Sequence, residues 1–177
     1  MKLLACPKCH QQLHLENKTL KCENNHCYDI SKRGYINLLL NPDKATNNPG
    51  DSKESLVARK AYLNKGYYDP ILNQVITCID EFKHQDDLSI LDLGCGEGYY
   101  TQGLKKHFEN SDIYGLDISK IAIDMATRYR KDVTWLVGNS KNIPILDHSL
   151  DFICALFTVV NQDELKRALK EDGYIVH

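Results

Sequence analysis

The chain has 177 residues, 42% of them hydrophobic and 26% charged, enough for one domain with a small appendage and a buried core. No apolar run approaches the ~20 residues that a membrane helix needs and no secretory pattern opens the chain, so the sequence reads as a soluble, cytoplasmic protein. Seven Cys, four of them within the first 27 residues, are too unevenly placed for a secreted disulfide framework.

Charge divides the chain in two. Residues 1–65 carry 11 Lys/Arg against 6 Asp/Glu, a balance of +5, and residues 66–177 carry 11 against 18, a balance of −7. A basic front piece suits a polyanion; ordinary surface charge is the bland alternative.

Residues 1–36 are Cys-rich and turn-rich, without helical periodicity, and form the first predicted domain. Residues 37–66 are a predicted linker. It opens on breakers at 41–42 and 47–51 and continues into a helix over 55–65. From Tyr67 onward, helices alternate with apolar strands. Asp69 and Pro70 suit the cap and first turn of a helix whose Ile71, Leu72, Val75, Ile76, Ile79 and Phe82 recur at helical spacing. Strands are predicted over 89–93, 113–116, 133–137, 151–157 and 173–177, with helices over 99–108, from Ser119 to Tyr129 and over 163–170. This alternation implies a Rossmann-like, mostly parallel sheet covered on both faces.

Cys6-Pro-Lys-Cys9 and the later Cys22, His26 and Cys27 have the spacing of a tetrahedral zinc site built from two turns. So small a piece cannot stabilise itself by apolar burial, and metal binding would supply its folding free energy. Cys22 can pair with either His26 or Cys27, and spacing leaves both open. His10 and His14 read as surface residues.

The second motif is Leu91-Asp92-Leu93-Gly94-Cys95-Gly96-Glu97-Gly98, between a strand and a helix. Ligands of open α/β sheets bind at the carboxyl ends of the strands, and bare glycines let a cofactor approach the backbone. Nineteen residues beyond Gly98, Asp117 ends the next strand, where a carboxylate can accept both hydroxyls of a ribose. The spacing is Gly-x-Gly-x-Gly, with Asp92 before it and Glu97 inside it. Those carboxylates would repel a pyrophosphate but suit the ammonium of a methionine group, which favours S-adenosylmethionine over NAD. Cys78, Cys95 and Cys154 read as packing residues.

With these motifs in hand, the chain resembles the bacterial 23S rRNA (guanine-N1)-methyltransferases of the RlmA type. The resemblance rests on Cys-Pro-x-Cys at 6–9, Cys-x-x-x-His at 22–26, Gly34-Tyr-x-Asn-Leu-Leu39, Gly50-Asp51, Ala58-Arg59, Gly66-x-Tyr68-x-Pro70 and the run from Leu91 to Thr101. It implies a class I S-adenosylmethionine-dependent methyltransferase fold with a small N-terminal zinc-binding domain. It implies zinc on Cys6, Cys9, Cys22 and His26. It also implies cofactor contacts from Tyr68, Asp92, the turn Gly94, Cys95, Gly96, Glu97 and Gly98, and from Tyr100 and Thr101. Asp117 would meet the ribose, Ile118 beside it would also contact the cofactor, and Asn139 and Ser140 would lie near the adenine. The implied activity is methylation of guanine N1 in a 23S rRNA hairpin, by a homodimer.

Two departures accompany the resemblance. Phe157-Thr158-Val159 stands where the family often has an aromatic, a small residue and Pro. Family members are also longer, so the sheet is expected to lack its C-terminal strands, residues 67–177 forming the methyltransferase domain. Two rivals follow: a methyltransferase for another RNA position or a small molecule, and a catalytically inactive zinc- and cofactor-binding fragment. No general base can be named. Asp163 and Glu164 are expected on a solvent-facing helix, and His148 in a loop.

Overall fold

The computed structural model describes residues 1–40 and 50–177; the breakers expected at 41–42 and 47–49 lie outside the described residues. The N-terminal piece is a three-stranded antiparallel sheet of β1 (His14–Glu16), β2 (Thr19–Lys21) and β3 (Cys27–Asp29), in that order. Asn17, with φ 59°, takes the left-handed conformation in the β1–β2 turn, which Asn tolerates better than most residues.

The larger sheet contains β4 (Ile36–Asn37), β5 (Ser89–Leu93), β6 (Asp112–Asp117), β7 (Thr134–Val137), β8 (Leu150–Cys154) and β9 (Leu169–Val176). Its order is β4-β7-β6-β5-β8-β9, with every neighbouring pair parallel. The helices are α1 (Lys53–Leu63), α2 (Asp69–Phe82), α3 (Tyr99–His107), α4 (Lys120–Ala126) and α5 (Gln162–Ala168). From β5 the chain winds outward through β6 and β7, then returns to the other side of β5 as β8. The direction therefore switches at the carboxyl end of β5, where such sheets open a crevice.

Strand alternation sends side chains to two cores. Ile90, Ile113, Trp135 and Phe152 face α2, α3 and α4 through Val75, Ile79, Leu104 and Ile123. Leu91, Tyr114, Leu136 and Ile153 face the other way, onto Leu165 and Ala168 of α5 and onto Leu4, Leu13 and Leu20 of the N-terminal piece. That piece is therefore packed into the main core. Backbone bonds reinforce the join: Ala5 N–H donates to Pro144 O at 3.1 Å and Leu146 N–H to Leu3 O at 2.9 Å. The Asn142 side chain adds a bond to Pro7 O at 2.8 Å.

Several boundaries differ from those read in the sequence. Tyr68, not Asp69, caps α2, and Asp69 instead accepts a hydrogen bond from the Tyr99 hydroxyl. Helix α4 ends at Ala126, leaving Tyr129 exposed beyond it. The strand expected over 151–157 stops at Cys154, and Phe157 turns into the left-handed region with φ 57°. Helix α5 yields to β9 at Leu169, and a register shift carries the β8 pairing from Leu150↔Leu169 to Phe152↔Tyr174. Residues 36–37, at the foreseen boundary between ribbon and linker, run beside β7, and Leu38 N–H donates to Val137 O at 2.8 Å.

Candidate functional site

Two turns build the metal centre. His10 N–H donates to Cys6 O at 2.8 Å and Asn25 N–H to Cys22 O at 2.9 Å, and His10 and Asn25 are both left-handed. Each turn aims its ligands at one point. The Nδ1 atom of His26 lies 3.4 Å from the Sγ atoms of Cys6, Cys9 and Cys22, and Cys9 and Cys22 are 3.7 Å apart. All four donor atoms fall within 4.8 Å of one another. Zn–S bonds of about 2.3 Å and Zn–N of about 2.0 Å give tetrahedral edges of roughly 3.5–3.8 Å, so the donor set fits zinc. Tyr28 places its hydroxyl 3.3 Å from Cys6 Sγ, where it can donate to a thiolate and orient it. Cys27, left open by spacing, is exposed and donates to Asn25 O at 3.4 Å, outside the cluster. Four protein ligands leave no open position for chemistry.

The glycine turn follows β5. Gly94 and Cys95 N–H groups donate to Leu116 O at 2.8 and 3.1 Å, tying the turn to β6. Asp117, at the end of β6, accepts from Gly96 N–H at 2.9 Å through one oxygen and from Ser119 N–H at 2.7 Å through the other. Each oxygen keeps a lone pair for a further donor. Gly98 caps α3 with φ 85°, and a Cβ there would come within 2.6 Å of the Trp135 ring. A side chain is excluded on both counts.

Two hollows meet at Gly94. One, of about 230 Å³, is lined by Asp117, Ile118, Asn139, Ser140, Thr158 and Val159 among others. The other, of about 240 Å³, is walled by Tyr68, Cys95, Gly96, Glu97 and Tyr100, with Arg59, Tyr62, Leu63, Leu156 and Phe157 closing it. Glu97 Oε1 and the Tyr100 hydroxyl are buried with no hydrogen-bond partner among the described residues. Burial raises the carboxyl pKa values of Glu97 and Asp117, while Arg59 opposes the rise in both. An orphaned acid, a carboxylate with free lone pairs and a bare turn fit a cationic nucleoside spanning both hollows, as S-adenosylmethionine would.

Of the residues foreseen at this site, Asp92, Gly98 and Thr101 lie behind the linings. Thr101 donates to the buried Asp92, whose pKa is pushed up to about 7 by burial and by the neighbouring Asp117 and Glu97 charges. Burial likewise drives the Cys95 thiol far up, as befits a packing residue. Arg59, Tyr62 and Leu63 of α1 were not foreseen as walls. The only signal was the matched Gly50-Asp51 and Ala58-Arg59, which the structure joins as an ion pair. Glu164 departs from the solvent-facing expectation: half-buried, it accepts from Ile143 N–H at 2.7 Å and from Arg167. His148 does lie in a turn, with φ 50°.

Residues 4–45 match the family described as RlmA, N-terminal, and residues 90–173 match the methyltransferase domain family. The chain is 28% identical to the 23S rRNA (guanine(748)-N(1))-methyltransferase of Streptomyces fradiae, over 99% of this chain and 62% of that protein. It is 30% identical to a Bacillus subtilis protein provisionally named 23S rRNA (guanine-N(1)-)-methyltransferase YxjB, over 98% of this chain and 63% of that one. It thus spans just over three-fifths of these relatives' length. A provisionally named S-adenosyl-L-methionine-dependent methyltransferase from Methanococcus maripaludis shares the fold. The two superpose with a TM-score of 0.60 at 24% identity, over 73% of this chain and 66% of that one. The chain thus carries a zinc ribbon that matches the RlmA N-terminal family ahead of a methyltransferase domain in one polypeptide, and nearly its whole length is similar to proteins named as 23S rRNA guanine-N1-methyltransferases.

Proposed function

We propose that the protein methylates N1 of a guanine in 23S rRNA, with S-adenosylmethionine as donor and zinc as a structural ion. The observation that carries this reading is the pair of hollows joined at Gly94, with Asp117 in one and the orphaned Glu97 in the other, on a chain that also carries the Cys3His cluster. Asp117 with Ile118 would hold the ribose, and Asn139 with Ser140 would border the adenine. Tyr68, Gly94, Cys95, Gly96, Glu97 and Tyr100 would surround the methionine end, while Asp92, Gly98 and Thr101 support the turn from behind.

When bound, the cofactor supplies a methyl group already activated on a sulfonium. What remains for the chain is orientation and desolvation. Guanine N1 carries a proton in the neutral base, so it must be aligned with the methyl group as that proton leaves. Tyr68, Leu156 and Phe157 give the methionine-side hollow an aromatic and apolar border. An unpaired or flipped base is required, since N1 is hidden in a duplex. The +5 front piece would grip the rRNA hairpin, and the family resemblance supports a cytoplasmic homodimer. Among the described residues, no helix is long and apolar enough to cross a membrane.

The test is methyl transfer by the zinc-loaded chain to a 23S rRNA hairpin, followed by nucleoside digestion. N1-methylguanosine is expected. Label at another position, or on small acceptors only, overturns the substrate; calorimetric binding of S-adenosylmethionine without any transfer overturns the activity and favours a cofactor-binding unit.

A further inference from the structure

A third hollow, of about 340 Å³, opens where α1, α3 and the segment after α4 meet, and the site described above leaves it unused. Three cations line it: Lys60 of α1, Lys106 of α3 and Arg130. Arg130 is already forked onto Asp132, at 2.9 and 2.7 Å. Lys60 holds its ammonium 3.3 Å above the ring of Tyr129, and Lys106 is exposed; neither forms an ion pair among the described residues. The one carboxylate in the lining, Glu97, is buried in the wall, where burial raises its pKa against the opposing pull of Arg59 and Lys60. The hollow therefore presents surplus positive charge beside an exposed tyrosine ring, which is the chemistry of a phosphodiester site with a sugar or base packed alongside.

We infer that this hollow binds a backbone phosphate of the RNA strand that carries the target base. The inference rests on the proposed rRNA substrate and adds to it a site on the catalytic domain, away from the zinc ribbon. Position supports it. Glu97 and Tyr99 line both this hollow and the one assigned to the methionine end, so a phosphate held here lies one layer of side chains from the donor. A strand anchored at that distance has its register set relative to the methyl group.

The test uses the zinc-loaded chain, a fluorescent 23S rRNA hairpin and salt from 50 to 200 mM. Lys106→Gln is expected to weaken hairpin binding by about 3–10-fold near 100 mM salt and to reduce the slope of log K against log salt by roughly 0.7–0.9. Lys106→Arg should retain both, and the affinity of either variant for S-adenosylmethionine should stay at the wild-type value. Wild-type affinity and slope in Lys106→Gln overturn the phosphate site and leave the rRNA reading standing. Joint loss of donor affinity also overturns it, assigning the hollow to the cofactor. A wild-type chain with no affinity for the hairpin overturns both readings.

Discussion

Asp92 is an acid that the fold keeps from ionising at its ordinary pH. It is 2% exposed, and its folded pKa of about 7 lies well above the unfolded value of about 3.9. In that interval the native state holds a proton that the unfolded chain has released. Stability from this group is therefore present below pH ~4 and is lost as pH rises toward 7. Asp92→Asn keeps an acceptor for Thr101 and removes the titration. The variant should flatten the fall in urea stability between pH 4.5 and 7.5 and be more stable than wild type at pH 7.5 by on the order of 2 kcal/mol. An unchanged slope would assign the pH dependence elsewhere. At this scale the sequence was informative but incomplete. Residue types and order marked Asp92, Glu97 and Asp117 as a group, whereas which of them faces a ligand depends on the pleat of β5 and the path of the turn.

Among elements, legibility followed local chemistry. The β5–turn–α3 unit and the Ser119 cap, which accepts from Ala122 N–H at 3.2 Å, were readable because strand, glycine and cap signals are all short-range. Helix α1 was readable as a helix but not as a wall. Most of its residues are exposed, so no apolar stripe reveals which side meets the glycine turn. Helix α5 likewise hides a role in Arg167, whose side chain is 19% exposed. Its guanidinium donates to Ile143 O at 2.7 Å and Ile145 O at 2.8 Å, and pairs with Glu164 and Asp147. These bonds pin the segment between β7 and β8. Arg167→Ala should destabilise the chain by about 2–4 kcal/mol in urea unfolding, because it takes the paired cation from the half-buried Glu164 and the donor from Ile145 O. A loss under ~0.5 kcal/mol would mean that water replaces all of these bonds.

For the molecule as a whole, ribbon and nucleoside hollow are not independent. The segment bonded to Leu3, Ala5 and Pro7 also carries Asn139 and Ser140, and Leu4, Leu13 and Leu20 share a core with Leu116 and Leu136. Zinc binding contributes folding free energy to the ribbon, so its removal should be felt on the far side of that core. Chelation is expected to lower Tm for the whole chain in one transition and to weaken S-adenosylmethionine binding at least several-fold, read by calorimetry on the same samples. Two separate transitions with unaltered donor affinity would show that the ribbon is a detachable module. Nothing in the sequence announced this coupling, since it joins residues more than a hundred positions apart.

Gly94 lines both of the smaller hollows, and a methyl group built on its α-carbon would collide with the side chain of Thr158. One hydrogen atom in place of a side chain thus lets Thr158 pack directly against the turn where the two linings adjoin. Any larger residue at 94 would have to displace Thr158, which lines one of the hollows, so the shape of that hollow is set by the smallest residue in the wall.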